Sequence, residues 1–575
     1  MFKKNKAHMQ PRLLSAVSQL SEKHRQRLEN SWASVFYREV FCRIDEEIFS
    51  VLYADLPSRP NVAVNVLVGF EILKAGFGWS DEEGYDEFTY NLQVRYALGY
   101  GELGEGDFDL RTLYYFRERL NRYMQESGVN LLAKVFEQVT DEQVAAFKLK
   151  TGIQRMDSTL VSSNIGQWSR LQFLVVVLQR VHRMLSEADR ASYEQAFEAY
   201  VKEHAGHYVY RLKKGDFFPH LQRIGEFMQQ LLADLKAAYQ EQPTYQMLER
   251  VFHEHYRIEE QTVKGLRDKE LSPQRLLSPD DFEASLRGRR NATFSGYAAN
   301  LTESAEPQNP FQLVTKVQVA PNNVDDPQLL LAALPDLKAR TALHTLYTDG
   351  GFGSPQTDLA MITQHVTHIP TAIRGAKPNP QRLNLSDFDL QFDEAGTPIA
   401  IQCPGKQHTP VEFGNPKKGF VARFDPQRCS QCTFAQEKQC PARPVRKNPL
   451  RHLYFLWKEA WVAQRRKRAR EYSQQDQNLR AAIEATCWAV KCRYPNDKFP
   501  VRGLFRMTSL LIASAAMNNV RRIDRHLHAR PWQIKRKLAK QAVQRTLAAK
   551  SSFLFGSPSD LWPVCRLEPA LAVSF

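Results

Sequence analysis

The chain has 575 residues, 43% of them hydrophobic and 25% charged, which is typical of a globular protein with several domains. Its 78 basic residues exceed its 63 acidic ones, and the resulting charge of +15 favours a polyanionic partner, nucleic acid before an anionic membrane. No apolar run approaches the roughly 20 residues of a membrane-spanning helix, and no signal peptide is recognisable. Eight cysteines in so long a chain exclude a disulfide framework, and their clustering favours metal binding.

Residues 1–150 carry apolar residues at spacings of three and four, which predicts a helical N-terminal domain. Such a domain could contain a helix-turn-helix that reads DNA, or it could serve packing and dimerisation; the sequence leaves both readings open. Within it, the acidic and glycine-containing stretch 80–109 predicts a loop region.

Residues 151–165 predict a first core strand, with Asp157 inside the extended, β-branched run RMDSTLVSSN. The pattern then becomes helical, and residues 166–289 are interpreted as a helical insertion whose expected roles are packing and oligomerisation. The last part of this insertion, residues 264–290, is polar and basic and predicts a connector.

Residues 290–375 predict two strands, a helix from Pro327 to about Arg340, a strand that ends at Asp349, and then a further helix and strand. This order predicts an α/β sheet. Asp349 is followed directly by two glycines, and an aspartate at the carboxyl end of a strand can face a crevice instead of a core.

Residues 376–454 are rich in proline, glycine and short alternating runs, which predicts a small β insertion. Thiolates in groups of four bind Zn²⁺ tetrahedrally, and a small β insertion with little core gains stability from a metal. Zinc is the leading interpretation; unliganded cysteines and an iron–sulfur cluster remain alternatives, and His408 is a substitute ligand. The four candidate ligands are Cys403, Cys429, Cys432 and Cys440.

Residues 455–525 predict helices, and one of them, over residues 477–493, places Arg480, Glu484 and Lys491 on one side. Taken alone, this pattern describes an amphipathic helix with salt links between neighbouring turns. A basic run precedes this helix and is either a solvated face or a set of phosphate contacts, and its closeness to Glu484 favours phosphate. Its residues are Arg465, Arg466, Lys467 and Arg468. Residues 526–575 form a basic tail.

Three acidic side chains on two predicted strands and one predicted helix, Asp157, Asp349 and Glu484, are the donor set that a two-metal site for phosphoryl transfer needs. Mg²⁺ prefers oxygen ligands and keeps several waters, so that few protein carboxylates suffice. Two such ions stabilise the attacking and the leaving oxygens of an in-line displacement.

With these residues in place, the chain resembles the DDE-type insertion-sequence transposases, whose catalytic domain has an RNase H-like fold. Arg480, Glu484 and Lys491 match the pattern Arg-x3-Glu-x6-Lys, and Asp157 and Asp349 match the two aspartates. A second resemblance, to the amino-terminal domain of the family, covers residues 56–122. The chain departs from the family at Gln477, where members often carry tyrosine.

The resemblance implies an RNase H-like mixed-sheet core built from residues 151–165, 290–375 and 455–525. It further implies that the three carboxylates are catalytic and hold Mg²⁺ or Mn²⁺, and that Arg480 and Lys491 contact phosphate. The expected partners are the terminal inverted repeats of the element, target DNA and a second copy of the chain, in the bacterial cytoplasm and at the nucleoid when DNA is bound. Two other functions stay open: a zinc-containing DNA-binding protein without catalysis, and a metal-dependent nuclease that only hydrolyses.

Overall fold

The structure is a computed structural model that describes residues 2–10, 14–54, 60–213, 215–289, 292–373, 378–445, 448–473 and 479–553. The chain divides into two units, Met1–Arg522 and Ile523–Phe575. The first unit holds a mixed α/β structure, which confirms the α/β part of the predicted fold class, and the described part of the second unit is helical. No helix of the described residues is both long and apolar enough to cross a membrane.

Among the described residues, seven α-helices precede the first strand, as the periodicity of residues 1–150 predicts. They are α1 Glu22–Glu29, α2 Trp32–Glu39, α3 Val64–Phe77, α4 Asp81–Tyr90, α5 Leu92–Ala97, α6 Leu110–Ser127 and α7 Leu131–Ala146. The prediction of a loop over residues 80–109 is wrong for most of that stretch, because α4 and α5 lie there. The Ser80 side chain accepts a hydrogen bond from the Glu83 backbone, and the Glu83 side chain accepts one from the Ser80 backbone, so that a capping box begins α4.

The first strand, β1 (Ile153–Ser162), is followed by the predicted helical insertion, which has its own buried core. Apolar side chains at helical spacing, such as Leu174, Leu178 and Val181, are fully buried in that core. The insertion contains α8 Arg170–Met184, α9 Glu187–Ser192, α10 Glu194–Val201, α11 Ala205–Tyr210, α12 Phe217–Tyr239 and α13 Pro243–His255, and then the hairpin of β2 Tyr256–Glu259 and β3 Thr262–Gly265.

A six-stranded sheet, here called the first sheet, forms around β1. Its other strands are β4 Ser285–Arg289, β5 Ala292–Ser304, β6 Val314–Pro321, β7 Thr345–Thr348 and β8 Thr367–Pro370, and its connecting helices are α14 Asp326–Arg340 and α15 Pro355–Thr363. The strand β4 corrects the interpretation of residues 264–290 as a connector, because Ser285–Arg289 pairs with β5 and extends the sheet.

The first sheet combines antiparallel and parallel pairs on the two sides of β1. On one side β1 is antiparallel to β5, and β5 is antiparallel to both β4 and β6 along successive stretches. On the other side β1 is parallel to β7, and β7 is parallel to β8. The strand β1 is therefore central, and the carboxyl ends of β1, β7 and β8 lie at one edge of the sheet.

The described residues between 389 and 455 form a second sheet in which every pair of neighbours is antiparallel, in the order β13, β14, β12, β11, β10, β9. This result confirms the predicted β character of the insertion. Its elements are β9 Asp389–Phe392, β10 Pro398–Gln402, β11 His408–Asn415, β12 Gly419–Phe424, α16 Pro426–Ser430, α17 Thr433–Gln436, β13 Arg443–Val445 and β14 Asn448–Phe455.

Three helices complete the described chain: α18 Trp457–Ser473, α19 Ala481–Lys491 and α20 Leu504–Phe553. The helix α19 packs against β1 and β5, with Ile483, Cys487 and Val490 on its buried side. The helix predicted over 477–493 is thus shorter than expected, and Gln477 lies outside the described residues.

Candidate functional site

The two predicted strand aspartates lie at equivalent positions on neighbouring parallel strands. The last paired residues of β1 and β7 are Arg155 and Tyr347, and Asp157 and Asp349 each follow two residues later. Asp349 comes immediately after β7, where its carboxylate accepts a hydrogen bond of 2.6 Å from the backbone N–H of Gly351. Because both strands run in the same direction, both carboxylates lie just beyond the point where the pairing of β1 with β7 ends.

The third predicted carboxylate, Glu484, is in the first turn of α19 and its side chain is 60% exposed. Arg480, immediately before this helix, connects it to the sheet. One guanidinium nitrogen lies 2.7 Å from Asp157 Oδ2, and the other lies 2.8 Å from Glu484 Oε1. The guanidinium therefore bridges a carboxylate of the central strand and a carboxylate of the helix.

All three carboxylates line a single cavity of about 450 Å³, together with both predicted cations of the motif. The sequence predicts that Asp157, Asp349 and Glu484 converge to a metal-bridging distance; they share this cavity across separations of well over a hundred residues, but among the described residues they do not form a group that could hold a metal ion. The full lining consists of Asp157, Ser158, Thr159, Leu160, Arg287, Gly288, Asp326, Asp349, Arg480, Glu484, Cys487, Trp488 and Lys491.

Burial disfavours the ionised form of Asp157 in this cavity. Asp157 is only 7% exposed, and its removal from water raises the pKa of its carboxyl to about 6, against the opposing effect of the Arg480 charge. The negative charge of Asp349 adds to the increase in the pKa. A carboxylate that is costly to ionise, beside a second carboxylate, is an environment that favours an added cation.

The donor chemistry of the cavity fits Mg²⁺, since it offers several carboxylate oxygens. The side chains are nevertheless not arranged as a finished site: among the described residues, no group of three or more His, Cys, Asp or Glu side chains could hold a metal ion as it stands. The Arg480 guanidinium contacts both Asp157 and Glu484 in this arrangement.

Sequence reasoning missed other members of the cavity. Asp326 is 4% exposed at the start of α14, and it accepts a hydrogen bond of 2.7 Å from the Ser158 hydroxyl. Arg287 reaches the cavity from β4, the strand that was interpreted as a connector. In the sequence, Asp326 appears only as an aspartate just before a proline at the start of a helix. This pattern is common at helix starts and does not by itself indicate a site.

The two motif cations differ in their environment. Arg480 contacts two of the carboxylates, as described above. Lys491 lines the cavity at the last turn of α19, and its ammonium lies 2.7 Å from a carboxylate oxygen of Asp497. Lys491 therefore pairs with a partly exposed residue beyond the helix, and a phosphate could compete for it.

The predicted phosphate contact of Arg465 is wrong in this structure. The Arg465 side chain is buried and forms an ion pair with the buried Asp358 of α15, so it cannot face a nucleic acid. Next to this pair, His368 is also buried and lies 2.8 Å from the Thr348 hydroxyl, one residue before Asp349. Arg465, at the start of the basic run, therefore belongs to a buried polar cluster that packs against the end of β7, immediately before Asp349.

Two other cations of α18, Lys467 and Arg470, contact carboxylates at or just before the start of β9. Lys467 forms an ion pair with Asp389 of β9, and Arg470 lies 2.7 Å from Asp387. These pairs are at least partly exposed, so a polyanion could replace the carboxylates. Phosphate contacts of Arg466, Lys467 and Arg468 stay a prediction.

A buried ion network holds α19 against the first sheet. Glu303 of β5 is fully buried, with one carboxylate oxygen 2.5 Å from Arg155 Nε and the other 2.6 Å from Arg522 Nη1. The Thr486 hydroxyl, on α19, donates to the same second oxygen at 2.7 Å. Arg155 also donates to the backbone oxygen of Leu479 at 2.7 Å. The network therefore joins the strand of Asp157 to the helix of Glu484.

The four predicted zinc ligands meet at one end of the second sheet. Cys403 follows β10, Cys429 lies on α16, Cys432 begins α17 and Cys440 lies before β13, and all four line one small cavity. The Gln407 backbone N–H points at the Cys403 sulfur, at 3.4 Å.

Removal from water raises the pKa of the thiols of both Cys429 and Cys440, and the neighbouring cysteines contribute to this increase. The donor chemistry is that of a thiolate zinc site. The sulfur atoms do not stand at metal-holding spacing in the described residues, so the expected close tetrahedron is not formed here. His408 begins β11 and is exposed, outside the lining of this cavity.

Comparison of the chain with protein-family models, with curated proteins and with solved structures found no match.

Proposed function

We propose that this chain is a DDE-type transposase with an RNase H-like catalytic core, which cleaves the ends of an insertion sequence and joins them to target DNA. One observation carries the proposal: Asp157 and Asp349, at equivalent positions on two parallel strands, share a cavity with Glu484 of α19. The mixed sheet with a central β1 supports the RNase H-like assignment, and the net charge of +15 supports DNA as the partner.

In this proposal Asp157, Asp349 and Glu484 hold Mg²⁺, or Mn²⁺ in its place. The bound ions supply positive charge to the attacking and leaving oxygens of the phosphodiester. For Glu484 to serve as a ligand, Arg480 has to release it, and a DNA phosphate is the natural new partner for the guanidinium. Lys491 can exchange Asp497 for a phosphate oxygen in the same way.

The proposed reaction is one displacement carried out twice with different nucleophiles. Water first attacks the phosphorus at the element end, a new phosphorus–oxygen bond forms, and the bond to the 3′ oxygen breaks to leave a free 3′-OH. That 3′-OH then attacks a phosphodiester of target DNA, so that one bond forms and one breaks without an external energy source. The cavity holds the reacting phosphate beside the carboxylates and between Arg480 and Lys491.

The test is a gel assay with purified protein, Mg²⁺ and labelled DNA that ends in the inverted repeats flanking the gene. We expect nicking at the repeat ends, followed by covalent joining of the labelled strand to a plasmid target. Cleavage without joining would replace the proposal by a hydrolytic nuclease, and specific binding without cleavage would replace it by a DNA-binding protein. A duplex of scrambled end sequence is the control.

We further propose that Cys403, Cys429, Cys432 and Cys440 bind one Zn²⁺ with a structural role. The support is that four thiols from three segments of the chain meet at one cavity of a small sheet, where a metal would fasten these segments to one another. Binding would require the sulfur atoms to move together and to lose their protons.

Purified protein should therefore contain about one zinc per chain by metal analysis, as expected for four thiolates around one ion. Cys432→Ser should lower this content and the melting temperature, because it removes one of four ligands. Cys42→Ser is the matched control, since Cys42 is exposed in the N-terminal helical part of the chain. Wild-type protein that contains neither zinc nor iron would contradict the proposal.

A further inference from the structure

The end of β7, immediately before Asp349, packs against a cluster of buried polar side chains. Thr348 ends β7, His368 lies on β8 and Asp358 lies in the first turn of α15, and each is at most 1% exposed. The Thr348 hydroxyl lies 2.8 Å from His368 Nε2, and one oxygen of Asp358 pairs with Arg465. Apolar side chains would fill this space at a lower desolvation cost, so the polar cluster indicates a role beyond packing.

The hydrogens available in the cluster assign the direction of the bond between Thr348 and His368. The Thr348 hydroxyl has one hydrogen, and it donates that hydrogen to the backbone oxygen of Asp349 at 2.9 Å. His368 Nε2 therefore has to donate to the hydroxyl oxygen. Removal from water lowers the pKa of His368, against the opposing effect of Asp358, so the imidazole is neutral and has no second N–H.

The other side of the ring agrees with this assignment. His368 Nδ1 lies 4.0 Å from Asp358 Oδ1, which is too far for a hydrogen bond. Among the described residues neither of these two buried atoms has a hydrogen-bond partner. A hydrogen on Nδ1 would draw the carboxylate closer, whereas two acceptors stay apart. The only N–H of the ring therefore points at Thr348.

The turn that follows Asp349 is packed too closely to take another path. A Cβ at Gly350 would lie 2.2 Å from the backbone oxygen of Ala372, and a Cβ at Gly353 would lie 2.8 Å from Cδ of Arg465. Both distances are too short for a side chain, so the turn packs directly against the chain after β8 and against α18. A small shift of the Asp349 peptide is therefore passed on to its carboxylate.

Two hydrogen bonds fix Asp349 within this turn. Its carboxylate accepts from the backbone N–H of Gly351, and its backbone oxygen accepts from Thr348, as described above. Both donors are neighbours in the sequence. The bond from His368 to Thr348 links this local arrangement to the next strand of the first sheet.

We infer that His368 is a positioning residue for the proposed metal site: through the Thr348 hydroxyl it fixes the peptide of Asp349 and the direction of the carboxylate. The inference rests on the proposed function, since it takes Asp349 as a ligand of Mg²⁺ or Mn²⁺. Mg²⁺ demands near-ideal geometry of its ligands, so a misdirected carboxylate binds it less well. His368 and Thr348 are fully buried, so they act through Asp349 and do not touch DNA.

Two substitutions at His368 separate its hydrogen bond from its packing. The amide nitrogen of glutamine is as many bonds from the backbone as imidazole Nε2, whereas the amide nitrogen of asparagine corresponds to Nδ1. His368→Gln can therefore still donate to Thr348, and His368→Asn cannot. The affinity for Mn²⁺ is measured on the full chain without DNA, by electron paramagnetic resonance. We expect it to fall about tenfold or more in His368→Asn and to stay within about threefold of wild type in His368→Gln.

Substitutions at Thr348 test the second half of the connection. Thr348→Val removes the hydroxyl and keeps the shape, so it should lose Mn²⁺ affinity as His368→Asn does, while Thr348→Ser should bind as wild type does. Thr345→Val is the matched control, because Thr345 lies at the opposite end of β7 and its hydroxyl is also 2.9 Å from a histidine ring, that of His344. Melting temperatures are recorded for every variant, since a purely structural role would lower them without changing the Mn²⁺ affinity of the folded chain.

Full Mn²⁺ affinity in both His368→Asn and Thr348→Val overturns the inference. So does a wild-type chain without a Mn²⁺ site that Asp349→Asn removes. Cleavage and joining of end DNA are scored separately on the wild type. A chain that shows the expected order of Mn²⁺ affinities but never cleaves refutes the proposed function and keeps the positioning role, whereas one that cleaves and joins with unchanged affinities in all variants refutes only the positioning role.

Discussion

Asp349→Asn should abolish strand cleavage, with a fall of about a thousandfold in rate, while DNA binding stays within about twofold of wild type. Removing one group that stabilises charge in a transition state commonly costs two to three orders of magnitude. The substitution preserves shape: the amide oxygen can still accept the 2.6 Å hydrogen bond from Gly351, so the turn after β7 is retained. What is lost is the negative charge that a divalent cation requires at this edge of the sheet.

The measurement compares single-turnover cleavage of end DNA with binding of the same DNA in Ca²⁺. Asp268→Asn is the matched control, because it removes the same charge from a side chain that is 91% exposed on the helical insertion. The control should cleave as wild type does. Cleavage that persists in Asp349→Asn would falsify the catalytic assignment. Loss of both cleavage and binding would indicate that Asp349 is needed for the chain to fold and not for catalysis.

The features that the sequence predicted correctly have local signals. The strand β1 appears as a β-branched extended run around Asp157, and β7 appears as a short apolar run that stops before the glycines that follow Asp349. Both patterns depend only on neighbouring residues, so the two strands can be predicted without knowledge of the fold. The pairing of the two strands is not local, and only the resemblance to a known family predicted that their aspartates meet.

The errors have different physical causes, and the first is a charged residue whose partner lies far along the chain. Arg465 looks like part of a solvated basic run, but its buried partner Asp358 is 107 residues away. The strand β4 has a basic, glycine-containing sequence, which is tolerated because it pairs only with β5 within the first sheet. In the stretch 80–109, Ser80 and Glu83 have the spacing of a capping box, which indicates the start of a helix. The glycine and acidic residues of the same stretch indicate a loop, and the loop prediction followed them.

The second large effect is expected at Glu303, which sequence reasoning did not single out. Glu303→Gln should lower the free energy of unfolding by about 3–5 kcal/mol, the typical cost of leaving buried charges without their partner. Arg155 and Arg522 both direct guanidinium nitrogens at this fully buried carboxylate, at 2.5 and 2.6 Å. Thermal unfolding should show a clear decrease in the melting temperature.

The same substitution should reduce cleavage, because the network sets the position of α19 relative to β1. A glutamine has one acceptor oxygen, while Glu303 serves Arg155 with one oxygen and serves Thr486 and Arg522 with the other. Whichever way the amide turns, its own N–H₂ group faces a donor, and either the strand contact or the helix contact is lost. Hydrogen exchange should therefore accelerate in α19 and leave the core of the helical insertion unchanged.

Glu118→Gln provides the matched comparison, because Glu118 forms an exposed ion pair with Arg122 one turn away on α6. Exposed pairs of this kind contribute at most about 1 kcal/mol, so this variant should melt and cleave nearly as wild type does. Equal melting temperatures for the two variants would show that the Glu303 network does not fasten α19. If Glu303→Gln melts earlier but retains full cleavage below its melting temperature, the network stabilises the sheet without positioning Glu484.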